Sequence, residues 1–445
     1  MKLTVSRWLV VISLFASALP AASRTRPRYG GTLHVEIRTD PLKSPDGIAR
    51  KLIFDTLTQV SDSGQVIPAL AVSWEAQSAN HRWQFRLRSG VHFHDGSPLT
   101  SEAVVQSLSA SCKHCAWHVR AVGDSVIVTS DTPLPELPAE LARSVYAIAR
   151  QDDNGNPNGT GPFRFVANSN GILFLSANDD FWQGRPFVDA IEIYGNRPVR
   201  DQWLDFSVGK ADLVEIPPEL LRQAQQDRIP LAMAARPSDL LAVSVSAEQI
   251  GDEHLRESIA LALDRAALFN VIFQKQGEVT ASLLPNALTG YSFLFPAAAN
   301  VSRSRELRGA QSVPLHLSVD SSSAMLQLVA ERLALNLRDA GWNVRVLSQT
   351  SDPNAELALH LVHVEAADAA SALQETLEDF GAAVRDEGSN PAVLYQGERS
   401  FLQSHTVIPL LYLPRAYGVS GRVQNLVLAP DGTPFLANVS LEDAK

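Results

Sequence analysis

The sequence predicts an α/β protein with mixed sheets, divided into two lobes. Three observations support this fold class. A chain of 445 residues with 45% hydrophobic content can bury a sizeable core and is expected to form two or more lobes. Residues 83–87 alternate apolar and polar side chains, as a half-buried strand does. Residues 315–346 follow the order strand, helix, strand, which is typical of a βαβ unit with parallel strands.

The chain begins with the pattern of a secretory signal peptide at residues 1–23. Lys2 and Arg7 supply positive charge near the start, residues 8–15 are apolar, and small residues follow. The mature protein is therefore expected in the periplasm. No later apolar run approaches the roughly 20 residues that a membrane-spanning helix needs, so we do not expect an integral membrane protein after signal removal.

The balance of charge bears on the partners of the protein. The formal net charge is −10, and the sequence contains no basic stripe with interleaved aromatic residues. An acidic chain is repelled by a phosphate backbone. Nucleic acid is therefore not an expected partner.

A hairpin followed by a helix is the clearest local prediction. Residues 83–87 form a strand, and its partner strand contains Trp74. Turn-forming residues at 94–98 then end the extended chain. The next helix is expected to begin with Thr100 or Ser101 as its cap.

These segments resemble a known family. PALAVSWE at residues 68–75 and WQFRLRSGVHFHDGSPLTSEAVVQSL at 83–108 are similar to the signature of bacterial extracellular solute-binding proteins of family five, the peptide, dipeptide and nickel binders of ABC importers. GTGPF at 159–163 and HLRESIALALDRAALFN at 254–270 resemble later segments of the same family, in the same order. The resemblance therefore extends over much of the chain.

The resemblance implies a periplasmic binding protein with two lobes, a hinge and a cleft between the lobes. The implied function is capture of a small solute, foremost a short peptide, for ATP-driven import by an ABC transporter. The implied partners are a small-molecule or peptide ligand and the permease subunits of the transporter. We expect the protein to act as a monomer and without a cofactor.

The same resemblance divides the chain into lobes. Residues 30–45, 160–240 and 416–445 are expected to form the core of the first lobe. Residues 46–159 are expected to form a subdomain of that lobe, and residues 241–415 the second lobe.

The resemblance also places the ligand between the lobes. The candidate ligand-binding residues are Arg38, Thr39, Asp40, Glu365, Asp368, Tyr412, Arg415 and Tyr417. The first three end a strand that borders the cleft, with a solvated strand end as the alternative. The last three lie near the hinge, where Arg415 pairs either with a ligand carboxylate or with a protein carboxylate across the hinge.

One segment departs from the family pattern. Peptide binders of the family carry an Asp-Tyr-Pro-Asp-Pro-like segment here, and an acidic residue nearby holds the peptide amino group. This chain has HVEAAD at residues 363–368 instead, where Glu365 or Asp368 is expected to substitute. The departure motivates an alternative function, a degenerate binding module that acts as an envelope sensor or interaction protein.

Cys112 and Cys115 are the two cysteines of the chain. In an oxidising compartment a local disulfide is the leading interpretation. A metal half-site completed by His114 or His118 is the second, although a second ligand pair at a standard spacing is missing. Thiol redox chemistry is the third.

Catalytic and metal sites are not expected. The sequence contains no G-x-S-x-G, no H-E-x-x-H and no phosphate-binding loop, so a secreted hydrolase is the weakest alternative. Asp179 and Asp180 fit a solvated turn better than an acid–base pair. His92, His94 and Asp95 fit a strand end and turn better than a metal site.

Overall fold

Two large mixed sheets organise the protein. A computed structural model describes residues 27–42, 48–61, 64–112, 115, 117–310, 313–348, 352, 354–382 and 390–442. The predicted signal peptide lies outside these residues. Within them, no helix combines the length and the apolar character that crossing a membrane requires.

The first large sheet has seven strands in the described chain. In spatial order they are Phe163–Ser169, Ile172–Ala177, Ala190–Tyr194, Thr32–Glu36, Leu213–Ile216, Ala416–Val419 and Leu231–Met233. The predicted first strand is central and runs parallel to both of its neighbours. Its alternation is confirmed, since Leu33 and Val35 are fully buried.

A smaller four-stranded sheet contains the predicted hairpin. Its spatial order is Ala71–Gln77, Arg82–Leu87, Ser125–Ser130 and Trp117–Val122. Trp74 lies opposite Phe85, which confirms the predicted pairing. The helix Ser101–Ser111 packs on this sheet, and the Thr100 hydroxyl caps it by accepting from the Ala103 amide at 3.2 Å.

The second large sheet has six strands in the described chain. In spatial order they are Glu278–Val279, Val407–Leu413, Asp239–Val245, Leu357–His363, Pro314–Ser318 and Asn343–Leu347. The predicted βαβ unit is confirmed, because its two strands pair in parallel and the helix Ala324–Asp339 connects them. That helix buries its predicted apolar stripe in the core of the sheet.

Shorter elements complete the described chain. The other α-helices are Ile48–Ile53, Leu137–Glu140, Val199–Ser207, Leu221–Gln226, Glu253–Ala262, Arg265–Ala267, Asn286–Thr289, Val301–Arg308, Ala369–Asp379 and Pro391–Gln403. Ser144–Tyr146 and Pro218–Leu220 are 3-10 turns, and Leu268–Ile272 is a π-helical turn. The two-stranded ribbons pair Thr58–Val60 with Val66–Pro68, Arg150–Gln151 with Pro157–Asn158, Val423–Gln424 with Ser440–Leu441, and Val427–Leu428 with Pro434–Phe435.

The described chain crosses between the large sheets twice. It leaves the seven-stranded sheet through residues 234–238 and returns through residues 414–415. The first crossing lies slightly before the predicted boundary, since Leu240 already pairs with Val362 in the second sheet. We call the seven-stranded sheet with its four-stranded neighbour the first lobe, and the six-stranded sheet with its helices the second lobe.

The helix Ile48–Ile53 belongs to the core of the seven-stranded sheet. Its buried residues pack with Leu33 and Val35, although its position in the sequence falls within the predicted subdomain of residues 46–159. This placement brings the polar side of the helix to the space between the lobes.

Candidate functional site

Two cavities among the described residues lie between the lobes. The interlobe cavity has a volume of about 110 Å³ and is lined by Lys51, Arg143, Arg236, Glu365 and Asp431, among others. The hinge cavity has a volume of about 240 Å³ and is lined by Pro414 and Arg415 of the second crossing and by residues of both large sheets. Both lobes therefore contribute charged side chains to one cleft.

An ion pair bridges the lobes at the interlobe cavity. Lys51 Nζ lies 2.8 Å from Glu365 Oε1 and 3.2 Å from Asp431 Oδ2. Glu365 Oε2 also accepts from the amide and the hydroxyl of Ser144, at 2.9 and 2.8 Å. Burial alone would raise the pKa of Glu365, but Lys51 holds that pKa below its usual value.

A buried histidine extends this contact toward the hinge. His363 Nδ1 lies 2.7 Å from Asp239 Oδ1, and Nε2 lies 3.3 Å from Asp431 Oδ2. Burial and Arg415 lower the pKa of His363, but the two carboxylates outweigh them and raise the pKa to about 9. The imidazole therefore carries a positive charge at neutral pH.

Arg415 forms an ion pair with Asp239, the carboxylate that also contacts His363. Its Nε donates to both carboxylate oxygens of Asp239, at 2.8 and 3.1 Å. The result is a continuous array that we call the interlobe charge network, with three cations and three anions when His363 is protonated. Its members are Lys51, Asp239, His363, Glu365, Arg415 and Asp431.

Two further arginines of the interlobe cavity were not predicted from the sequence. Arg143 and Arg236 are each only 7% exposed. Arg143 Nη2 lies 3.6 Å from Glu375 Oε1, and Arg236 Nη2 donates to the Ala366 carbonyl at 2.8 Å. Both residues stand alone in stretches without a motif, so no sequence pattern indicates that they share a cavity.

Five of the eight predicted candidates line one of the two cavities. Arg38, Thr39, Arg415 and Tyr417 line the hinge cavity, whereas Glu365 lines the interlobe cavity. The Arg38 amide and its Nε donate to Glu215 Oε2, at 2.8 and 3.1 Å. The hinge salt bridge, one of two interpretations of Arg415, is thus present with Asp239.

Two carboxylate candidates, Asp40 and Asp368, lie outside the lining of both cavities. Asp40 Oδ1 accepts from the Leu42 amide at 3.0 Å, in a turn after the strand. Asp368 caps the helix Ala369–Asp379 by accepting from the Ser371 amide at 2.9 Å. The structure therefore gives these two carboxylates local structural contacts.

The prediction that Tyr412 faces the cleft is wrong. Tyr412 is 1% exposed and packs in a core with Leu283 and Leu284. Its hydroxyl donates to the Leu283 carbonyl. The physical reason is that every residue of Val407–Leu413 is buried, so this strand has no face directed at solvent.

The cysteines form a disulfide at the end of the helix Ser101–Ser111. Their Cα atoms are 5.4 Å apart, and both side chains pack against the core of the four-stranded sheet. Cys115 Sγ lies 3.7 Å from the Tyr146 hydroxyl. This pairing is the leading one of the three interpretations, and His114 lies outside the described residues.

The side chains of the acidic turn and of the histidine-containing turn contact other groups of the protein. Arg185 Nε lies 2.7 Å from Asp179, and Arg164 Nη2 lies 3.3 Å from Asp180, with both carboxylates largely exposed. His94 Nε2 lies 2.9 Å from the Gly161 carbonyl. No group of three or more histidine, cysteine or carboxylate side chains is arranged to hold a metal ion within the described parts of the chain.

Solved structures share this two-lobed fold. NikA from Staphylococcus aureus, in complex with Ni(L-His)2, aligns with a TM-score of 0.79 at 16% identity, covering 92% of this chain and 100% of that one. DppA from Helicobacter pylori, in complex with the peptide STSA, aligns with a TM-score of 0.79 at 18% identity, covering 94% and 99%. Similarity at this level of identity shows the fold.

Sequence comparison identifies relatives and a family. YhjP of Bacillus subtilis, an uncharacterized protein, is 35% identical over 154 residues, which cover 32% of this chain but only 27% of YhjP. A probable di/tripeptide-binding protein of Pseudomonas aeruginosa is 24% identical over 391 residues, covering 75% and 73%. The family model "Bacterial extracellular solute-binding proteins, family 5 Middle" matches residues 65–385. Because this match spans well over half of the chain, the protein belongs to the bacterial extracellular solute-binding proteins of family 5.

Proposed function

We propose that the protein captures a small solute between its lobes and delivers it to the permease subunits of an ABC importer. The interlobe cavity carries this proposal, because both lobes supply charged side chains to one cavity. Short peptides are the first class of cargo to test, since one relative is named a di/tripeptide-binding protein and one structural neighbour holds a peptide.

Hinge motion at the two crossings would admit the solute. The lobes can separate only when Glu365 leaves Lys51 and Ser144, because those contacts join opposite sides of the cleft. Closure around the solute then produces a single conformation of the two lobes, which the permease recognises. In this proposal the protein is exported to the periplasm, acts as a monomer and needs neither a cofactor nor catalysis.

The test is mass spectrometry of the solute carried by the mature protein from its native periplasm. Each released compound is then added back in a thermal-shift titration. A recovered peptide or metal chelate that raises the melting temperature with concentration supports the proposal through linkage. Conversion of the compound into a product would instead favour the hydrolase alternative.

A second candidate function is the degenerate binding module of the cell envelope. Lys51 already forms ion pairs with the carboxylates of Glu365 and Asp431, so these groups are not free to bind a solute. The volume of the cavity is also smaller than the roughly 300–1,000 Å³ of ordinary ligand sites. A protein that purifies empty, ignores a library of peptides and metal chelates, and retains a stable protein partner in a pull-down would favour this candidate over import.

A further inference from the structure

A further cavity, which we call the second-lobe cavity, lies wholly within the second lobe. Its volume is about 210 Å³, and none of its described lining residues also lines the interlobe cavity or the hinge cavity. Most of the lining is apolar, and its larger side chains include Leu261, Phe295, Leu402, Val407 and Ile408. An apolar cavity of roughly 150 Å³ admits benzene, so this one has room for a ligand with a single ring.

A buried arginine lines the same cavity. Arg265 is only 6% exposed. Its Nε donates to the Pro409 carbonyl at 2.8 Å, and its Nη1 donates to the Ala297 carbonyl at 3.4 Å. Its Nη2 donates to no acceptor within the described parts of the chain and is not among the sealed polar atoms that lack a partner. This amino group therefore remains accessible from the cavity that Arg265 lines.

The charge of Arg265 is not balanced by a carboxylate of the described residues. Burial alone lowers its pKa to about 10. Burial also lowers the pKa of Arg143, but Glu375 and other groups raise it above its usual value. The neighbouring Asp264 is engaged elsewhere, since it caps a helix by accepting from the Ala267 amide at 2.9 Å. A buried cation without a counter-charge is costly, so this cavity favours an anion.

Two other ionisable side chains belong to the described lining of the second-lobe cavity, Glu257 and His405. The side chain of Glu257 is 37% exposed and lies 4.0 Å from His254 Nδ1, so water and salt screen its charge. Burial lowers the pKa of His405, so its imidazole is uncharged at neutral pH. Arg265 therefore supplies the buried charge of the cavity.

We propose that the second-lobe cavity is a second binding site, which takes a small apolar monocarboxylate. The carboxylate would accept a charge-assisted hydrogen bond from Arg265 Nη2 and supply the missing counter-charge. The hydrocarbon body would pack against the apolar lining. This site goes beyond the proposed function, because it is separate from the space between the lobes and its ligand is not the transported solute. Occupation stabilises the second lobe by linkage, whether or not a solute is bound.

Three probes test the site on the mature wild-type protein by isothermal titration calorimetry in a chloride-free buffer. They are benzoate, its neutral counterpart benzamide, and acetate, which has the charge without the ring. We expect benzoate to bind, and benzamide and acetate each to bind at least tenfold more weakly. Failure of benzoate to bind, or a difference of less than tenfold from either of the other probes, overturns the proposal.

Three variants locate benzoate in the second-lobe cavity. Arg265→Gln removes the charge and should weaken benzoate binding at least tenfold, whereas Arg265→Lys keeps the charge and should lose less. Ala260→Leu places extra volume in the cavity without removing the charge, since Ala260 is half-buried in its lining, and should also weaken binding at least tenfold. Arg345→Gln is the control and should bind normally, because Arg345 is exposed on the strand Asn343–Leu347 of the same lobe.

Folded Arg265→Gln or Ala260→Leu protein that binds benzoate as tightly as wild type would overturn the proposal. If Arg265→Gln does not fold, Ala260→Leu and the comparison of benzoate with benzamide decide the matter. The site and the proposed function also fail separately. A protein that carries a solute from the periplasm but does not bind benzoate loses only this site, whereas an empty protein that binds benzoate loses only solute capture.

Discussion

Lys51 and Glu365 hold the two lobes together, with 2.8 Å between Nζ and Oε1. Lys51 is fixed on one side because its helix, Ile48–Ile53, packs in the core of the seven-stranded sheet. Glu365 is fixed on the other because it follows the strand Leu357–His363 of the second sheet. The chain thus stabilises this arrangement of its two lobes with its own side chains.

Removal of Lys51 should destabilise the protein more than neutralisation of Glu365. Lys51→Met leaves Glu365 and Asp431 as two buried anions without their shared cation, which costs about 3 kcal/mol of unfolding free energy. Glu365→Gln keeps the Lys51–Asp431 pair and should cost about 1 kcal/mol. Urea unfolding measures both values, and small-angle X-ray scattering should show a larger radius for Lys51→Met. An equal or larger loss in Glu365→Gln would contradict this account of the ion pair.

His363 should make stability fall as the pH rises above neutrality. Its pKa is raised from an unfolded value of about 6.5 to about 9 by Asp239 and Asp431, against burial and Arg415. Its contribution is therefore complete below pH 6.5 and is lost as the pH rises through 9, with a limit of about 3 kcal/mol. His363→Asn should remove this loss.

The measurement is the difference in unfolding free energy between wild type and His363→Asn at several pH values. Subtraction cancels groups that titrate in both proteins, such as Glu36, whose pKa burial raises to about 7. The difference should be constant between pH 5 and 6.5 and shrink toward pH 9. A difference that grows over this range would refute a charged His363.

Local features were predictable from the sequence because their determinants are close together in the chain. The hairpin around Trp74 and the βαβ unit that ends in Asn343–Leu347 depend on alternation, turns and caps within a few dozen residues. The interlobe charge network depends on distant partners, with Lys51 and Asp431 separated by 380 positions. No local pattern marks either residue, so only the tertiary fold brings them together.

The fate of the candidate site residues follows the same distinction. The family resemblance predicted that the strand end with Arg38 and Thr39 borders the cleft, and both residues line the hinge cavity. The direction of the Tyr412 side chain depends on what covers each face of its strand, and both faces are covered here. The placement of Arg143 and Arg236 beside one cavity depends on the tertiary fold, which local sequence patterns do not encode.

Glu398 should be essential for the core of the second lobe. Its fully buried carboxylate accepts from Ser282 Oγ and Tyr291 Oη, both at 2.7 Å, and from two backbone amides. Glu398→Ala leaves these donors without an acceptor and should cost at least 3 kcal/mol, on the order of 1–3 kcal/mol for each unsatisfied group. Glu398→Gln retains an acceptor oxygen and should cost less.

Chemical denaturation tests this prediction with Glu306→Ala as the control. Glu306 is exposed and pairs with Arg303 on the same helix, at 3.0 Å, so its loss should change stability by less than about 0.5 kcal/mol. If Glu398→Ala is no less stable than Glu306→Ala, the carboxylate does not organise this core.

A methyl group at Gly161 should disturb the helix that carries Lys51. A Cβ there would lie 2.5 Å from the Leu52 carbonyl oxygen and 2.8 Å from that of Ile53, both backbone atoms that yield only if the helix moves. Gly161→Ala should therefore lower the unfolding free energy by about 1–3 kcal/mol or more and weaken solute binding by shifting Lys51. Gly421→Ala is the matched control, because nothing lies within 4 Å of its added Cβ. Urea unfolding and titration with L-alanyl-L-alanine measure the two effects, and a Gly161→Ala protein as stable as Gly421→Ala would show that this loop does not position the helix.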